Sequence, residues 1–418
     1  MARSTAPPPQ AAAPTPPLGL SEARATILAG TLPLPEAESV QLGAALNRVL
    51  AESLVSPIDV PGFANSAMDG YAVRTVDLTG SSTLDLEITQ RIRAGDRPHA
   101  LRPGTAARIF TGAPLPEGAD AVLMQEECEA RGDRVRLGRA PAIGEHVRPR
   151  GHDFSRGTTV LETGHRMRPQ DIAIAAAAGA TCLRVSRRPR VALFSTGDEL
   201  VLPGQPLGPG KRYTANNHLL AALAEIVGCE VTDEGIVPDD MDVTCRTMEQ
   251  LAGSHDLLLS SGGASVGNED HMRRALERVG EVSLWRIAVR PGKPLLFGRV
   301  GNVPYLGLPG NPVSSFVTFA LLVRPLILTL QGAKRSEPSP VRVRAGFEWP
   351  EAGTRREFVR ARVHTGGDGV TVARLYPDQS SDVLSSAVWA DGLVEIPPGT
   401  TLAEGDWVSY LSFSGLLD

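Results

Sequence analysis

Val191-Ala192-Leu193-Phe194-Ser195-Thr196-Gly197-Asp198-Glu199 runs from an unbroken apolar stretch into a glycine turn carrying two adjacent acids. Four consecutive apolar residues without alternation suit a strand buried on both faces, as in a parallel sheet covered by helices. The residues that follow repeat the theme. Val231 to Val237, Asp256 to Ser260, Leu284 to Val289, Leu295 to Val300 and Pro304 to Leu308 read as strands. Asn216 to Val227, Asp242 to Leu251, Asp270 to Val279 and Val313 to Leu330 read as helices between or after them. This alternation predicts a largely parallel, doubly wound α/β domain over 187–333, with ligands beyond the carboxyl ends of its strands.

Upstream, Leu84 to Ile88, Ala107 to Phe110, Ala121 to Met124 and Arg134 to Leu137 are short runs bounded by Gly or Pro, which predicts a small β-domain over 57–155. Helical spacing flanks it at Ser21 to Ala29, at Ser39 to Leu50 (Val40, Leu42, Leu46, Val49, Leu50) and at Pro169 to Ala180. If these helices pack together, 18–56 and 156–186 form a helical linker domain and the β-domain is an insertion. Residues 1–17, with six Pro and five Ala, read as a disordered leader. Lys334 to Pro340 reads as a linker, and strand patterns resume over 334–418, predicting a C-terminal β-barrel. The expected fold is therefore multidomain α/β.

The 418 residues, 42% hydrophobic, are enough for about three cores at roughly 150 residues each. A net charge of −5 without any long basic run argues against a sequence-independent nucleic-acid binder. Cys128, Cys182, Cys229 and Cys245 show no C-x-x-C pair and no His at zinc-finger spacing, which argues against a disulfide framework or structural zinc site and favours a reducing, cytoplasmic setting. The apolar stretch Phe316 to Leu330 is broken by Thr318, Arg324, Pro325 and Thr329, and reads as too short and polar to span a bilayer.

Four glycine-bearing loops fall at or near predicted strand ends: Ser195 to Glu199, Ser260 to Gly267, Arg290 to Pro294 and Leu308 to Pro312. Glycine lets backbone N–H groups approach an anion, so four such loops on one sheet point to a phosphate site. None matches a Walker A or G-x-G-x-x-G pattern. Asp198, Glu199, Asp239, Asp240 and Asp270 lie beside these loops, where a hard cation such as Mg2+ would find oxygen ligands. Asp270 reads equally as a cap of the helix that follows, and Asp239-Asp240 as a solvated turn or N-cap. Two polar turns in the β-domain, around Met68-Asp69-Gly70-Tyr71 and Thr111-Gly112-Ala113-Pro114, read on their own as structural.

Taken together, Asn65 to Val73, Thr111 to Pro114, Phe194 to Leu200, Ser261-Gly262-Gly263, Ser265-Val266-Gly267, Pro291 to Pro294 and Leu308 to Ser314 resemble the molybdopterin molybdenumtransferase (MoeA) family, which includes the gephyrin E domain. The resemblance implies a homodimer whose cleft lies between the α/β domain of one subunit and the inserted β-domain of the other. It implies a transferase of molybdenum cofactor biosynthesis that takes adenylylated molybdopterin and molybdate and releases AMP in a Mg2+-dependent step. Further partners it implies are the adenylyltransferase and recipient molybdoenzymes. The family's site residues fall on Asp69, Thr111, Asp153, Glu199, Asp239, Asp270, Arg286, Arg290, Arg360 and Ser381. Ser261, Gly262, Gly263, Ser265, Gly267, Lys293, Pro309, Gly310 and Asn311 are expected to contact the pterin substrate, and Asp198, Glu199, Asp239 and Asp270 the metal. Ala64, His152, Ser380, Arg286 and Arg290 depart from the common pattern, and Tyr213-Thr214-Ala215-Asn216 matches its segment loosely. Competing readings are a molybdopterin adenylyltransferase and a non-catalytic scaffold for pterin or partner proteins.

Overall fold

The computed structural model describes residues 17–79, 84–262, 269–367 and 369–417, without the side chains of Glu269 and Asp270. Nearly all of the expected leader lies outside these residues, as do Gly263, Ser265 and Gly267. The chain divides into two units, one of 1–38, 47–49 and 186–418, the other of 39–46 and 50–185.

In the first unit the strand from Arg190 to Thr196 lies between Glu230–Val237 and Leu257–Gly262, both parallel to it. Val303–Leu308 extends the parallel set, and Leu296–Val300 and Glu281–Trp285 complete a six-stranded sheet in antiparallel fashion. Alternate residues feed two cores. Val191, Leu193, Leu257 and Leu259 pack on one face, while Ala192, Phe194 and Leu258 pack on the other, so an all-apolar run serves both. The predicted helices appear as Asn216–Ile226, Met241–Ala252 and Glu269–Val279, and a last helix runs from Pro312 to Leu330.

That last helix has 19 residues and a mean hydropathy of 1.9, so by length and composition it could cross a membrane, contrary to the sequence reading. Its helical window is 94% buried within the protein, which makes it a core element. Its middle turn, Phe319–Val323, is a π turn: Pro325 has no N–H to give and its ring crowds the carbonyl four residues back, so the ladder widens there.

The C-terminal strands close on themselves. Arg356–Thr365 pairs with Thr371–Leu375 and Gly392–Ile396, and Trp407–Ser412 and Val341–Ala345 complete a five-stranded barrel. Val289–Arg290 adds in parallel to Arg356-Glu357, which ties a cleft arginine to the barrel rim.

The second unit holds a six-stranded sheet built from Gly70–Val73, Asp85–Ile92, Thr105–Ile109, Ala121–Met124, Cys128–Arg131 and Arg134–Leu137. Helix Pro169–Ala177 lies in the same unit. Two expectations fail. The stretch 39–50 is no helix: it holds the end of strand Ala37–Gln41 and a single 3-10 turn, Leu42–Ala44. Leu42 N–H reaches Thr181 O at 3.3 Å and Leu50 bridges Val185, so pairing with a distant segment overrides the local apolar spacing. The helix Leu20–Ala29 buries Leu20, Ala23 and Ile27 in the α/β core with Val191 and Leu193, and so belongs to the first unit, whereas helix 169–177 belongs to the second. All four cysteines are free thiols.

Candidate active site

A cleft of about 930 Å³ opens where strands Arg190–Thr196, Leu257–Gly262 and Val303–Leu308 end. The predicted residues Glu199, Ser261, Gly262, Arg290, Lys293, Pro309, Gly310, Asn311 and Ser381 all line it. The loops approach because two of their glycines have no Cβ. A Cβ on Gly262, at φ +99°, would sit 2.2 Å from Thr196 O, and one on Gly292, at φ +118°, 2.6 Å from the Thr318 hydroxyl oxygen.

Side chains bind the loops into one frame. Asn216, at the start of its helix, donates through Nδ2 to Ser261 Oγ (2.7 Å) and to Gly310 O (2.9 Å). Ser261 Oγ donates in turn to Pro309 O (3.3 Å), and Ser315 Oγ donates to the same carbonyl. Asn311 stands at the N-cap of helix Pro312–Thr318 but donates its amide to Ser381 Oγ (2.6 Å), carrying the network to the barrel side.

Arg360 does not line the cleft. It is 1% exposed, and it donates to Ser380 O (2.9 Å), Ser386 Oγ (2.9 Å) and Asp378 O (3.4 Å), while Gln379 Oε1 accepts its backbone N–H at 2.9 Å. It therefore fixes the 378–381 segment that presents Ser381. Burial pulls its guanidinium down to about 10, with Asp378 opposing. Arg286 also stands off the cleft: its backbone has φ +74° and its guanidinium lies 4.5 Å from the Trp285 ring centroid.

Four cations, Arg212, Arg290, Lys293 and Arg355, face the cleft against two carboxylates, Glu199 and Asp382. Glu199 pairs with Arg212 at 2.9 Å, and Arg290 with Glu357 at 3.4 Å. A cleft with this excess, walled by glycine loops, selects a polyanion. Arg212, Arg355 and Asn216 were given no site role from the sequence. Asn216 lies in a quoted segment at a helix start; Arg355 sits in a loop before a barrel strand and carries no local signal.

The acidic residues are arranged less tightly. Asp198 is exposed and its carbonyl accepts Lys211 Nζ; Asp240 caps its helix by accepting Val243 N–H at 2.9 Å, which settles its reading as a cap. Asp239 is raised above the usual carboxylate range, first by burial, then by Asp198, with Glu199 adding and His271 opposing. Among the described residues, no three His, Cys, Asp or Glu side chains converge as a metal-binding group. Mg2+ commonly takes one or two carboxylates plus substrate phosphates, however, and mutually repelling acids beside a cationic cleft fit that pattern. The side chain of Asp270 lies outside the described residues.

In the second unit the two polar turns meet. Asp69 Oδ1 accepts both the N–H and the hydroxyl of Thr111, each at 2.8 Å, and these bonds hold its carboxyl below the usual range. Asp153 is exposed, its N–H donating to Val60 O at 2.9 Å.

Residues 18–179 match the family model of the MoeA N-terminal region (domains I and II), 192–329 that of a probable molybdopterin binding domain, and 342–413 that of the MoeA C-terminal region (domain IV). The chain belongs to the MoeA family. Within that family it is 37% identical to a molybdopterin molybdenumtransferase of Haemophilus influenzae, over 96% of this chain and 100% of the relative. A molybdopterin molybdenumtransferase of a Nostoc species is 39% identical, over 88% and 86% of the two chains. Among solved structures, a molybdopterin biosynthesis MoeA protein from Pyrococcus horikoshii superposes with a TM-score of 0.82 at 27% identity, over 95% of this chain and 100% of that one. Another from the same organism gives 0.76 at 33% identity, over 95% and 99%.

Proposed function

We propose that this MoeA-family chain is a molybdenum insertase of molybdenum cofactor biosynthesis, transferring molybdenum from molybdate to adenylylated molybdopterin with release of AMP. The observation that carries the reading is the cationic cleft itself, in which Asn216 joins the Ser261-Gly262 and Pro309-Gly310 loops while four cations face the space between. Backbone N–H groups of these loops bind the substrate's phosphates, and Arg290, Lys293 and Arg355 neutralise phosphate or molybdate oxygens. Asp198, Glu199, Asp239 and Asp270 would hold Mg2+, which when bound polarises a phosphoryl oxygen as a Lewis acid. Arg360 acts by presenting the 378–381 segment. Cleavage of the linkage that frees AMP is coupled to transfer of the metal.

Asp69 and Thr111 serve the same reaction from a partner protomer of a homodimer, as the family likeness implies, and the four free thiols suit a cytoplasmic enzyme. The test is AMP release from adenylylated molybdopterin, with and without molybdate and Mg2+. Glu199→Ala should bind substrate yet release AMP about a hundredfold more slowly. Wild-type turnover in that variant sinks its role, and AMP formation indifferent to molybdate sinks the whole reading.

A further inference from the structure

We propose that Arg212 is a partner-exchanging residue: it holds Glu199 in the ligand-free cleft, moves to a phosphate oxygen when the phosphorylated substrate binds, and so releases the Glu199 carboxylate to a divalent cation. The inference rests on the metal and phosphate roles proposed above, and adds a residue that neither of them uses. Arg212 and Glu199 both line the cleft and pair at 2.9 Å. Their side chains are 57% and 42% exposed, so water screens the pair and little holds it together. The backbone beneath is fixed. Arg212 N–H donates to Glu199 O at 2.9 Å, Leu200 and Val201 pair in parallel with Arg212 and Tyr213, and Lys211 Nζ donates to Asp198 O. Movement is thus confined to the Arg212 side chain.

The other cleft arginines are committed differently. Arg290 faces Glu357, only 8% exposed, and losing a cation from beside a buried carboxylate is costly. Arg355 donates to Val289 O at 3.5 Å. Arg212 has the partner that solvent can most easily accept in its place, and its guanidinium suits two phosphate oxygens at once.

Departure of Arg212 leaves the Glu199 carboxylate without its counter-charge, next to the exposed Asp198. One or two carboxylates together with a bound phosphate are the ligands that a divalent cation such as Mg2+ commonly takes. Phosphate and cation therefore assist one another, and by linkage each improves the other's binding by the same factor.

The experiment measures Mn2+ binding by titration and electron paramagnetic resonance, with and without AMP, in the wild type, Arg212→Met, Arg212→Gln and Lys293→Met. Lys293→Met removes a cleft cation that has no bond to Glu199, and so reports the general field. In the wild type, AMP should tighten Mn2+ by about fivefold or more. In both Arg212 variants Mn2+ alone should bind about fivefold tighter than to the wild type, and the further gain from AMP should shrink below about twofold. Lys293→Met should change Mn2+ binding alone by less than about twofold. Mn2+ binding unchanged or weakened in the Arg212 variants overturns the exchange, as does an equal gain in Lys293→Met. No Mn2+ binding by wild type, with or without AMP, overturns the divalent-cation reading instead. Arg212 is exposed, so a thermal melt matching wild type is expected to confirm that the variants are folded.

Discussion

Gly262 and Gly310 lie side by side in the cleft wall, and replacing each by alanine separates two effects of losing a glycine. At Gly262 the backbone has φ +99°, and a Cβ would lie 2.2 Å from the backbone oxygen of Thr196 on the neighbouring strand. The positive φ costs an L-residue about 1–2 kcal/mol. The contact is about 0.8 Å shorter than any such pair tolerates, and no side-chain rotation relieves it, so the strand ends must part. Losing the pairing there adds about 1 kcal/mol or more. Gly262→Ala should thus destabilise the α/β unit by roughly 3 kcal/mol, or about 6–12 °C in its transition for a unit of this size. At Gly310 the nearest atom to a Cβ is Gly262 Cα at 3.6 Å, an ordinary contact, and the backbone is not in the left-handed region. Gly310→Ala should melt within about 2 °C of wild type, while still placing a methyl group in the cleft. Differential scanning calorimetry with AMP binding on each variant checks this. If Gly262→Ala melts with the wild type, or Gly310→Ala falls as far, the close-approach argument is wrong.

Three further outcomes follow from the hydrogen-bond geometry. Asn216→Ala removes a buried bond to Ser261 Oγ and a partly buried one to Gly310 O, and should cost about 1–3 kcal/mol in urea unfolding while weakening AMP binding; stability loss without weaker binding would remove Asn216 from the site. Thr111→Val deletes one of two bonds that keep Asp69 below the usual carboxylate range, so the acid limb of AMP release should move to higher pH, and an unmoved limb refutes the coupling. Asp171 is buried, which pushes its carboxyl up, but bonds from Arg168 and His165 outweigh this and bring it down to about 2 from 3.8. A depressed pKa stabilises above the ordinary value and is lost as pH falls towards the folded one. Asp171→Asn should therefore cost about 2 kcal/mol at neutral pH in urea melts, and the gap should close between about pH 4 and 2.

The fold was legible where burial is symmetric or periodicity long. Val191 to Phe194 could be read as a central strand because both faces of that sheet are covered, and helix 216–226 because it follows such a strand. Ser39 to Leu50 misled because Val40, Leu42, Leu46 and Leu50 mimic a helical stripe, while the bonds that decide the matter come from residues near 181–185. Spacing within twelve residues carries no information about a partner over a hundred positions away. The helix 20–29 was placed correctly as a helix and wrongly as to its neighbours for the same reason: its stripe of Leu20, Ala23 and Ile27 says that one face is buried, never against what.

The site divides along a similar line. Glycine turns announce themselves, because few other residues tolerate positive φ. What makes the turns a cleft is different in kind. Asn216 and Arg360 reach 94 and 20 residues along the chain and Ser315 reaches six, each to a backbone carbonyl that any residue could have carried. Arg360 shows how motif transfer and geometry divide the work. The likeness marks the position as part of the site, and only the structure shows that its buried guanidinium serves the 378–381 backbone, which carries Gln379, Ser380 and Ser381 to the cleft. A change at Arg360 should accordingly act through Ser381 and Asn311, so Arg360→Lys, which keeps the charge but cannot fork to two carbonyls, should impair AMP release nearly as much as Arg360→Met. Full rescue by lysine would mean that charge at this position matters and the loop geometry does not.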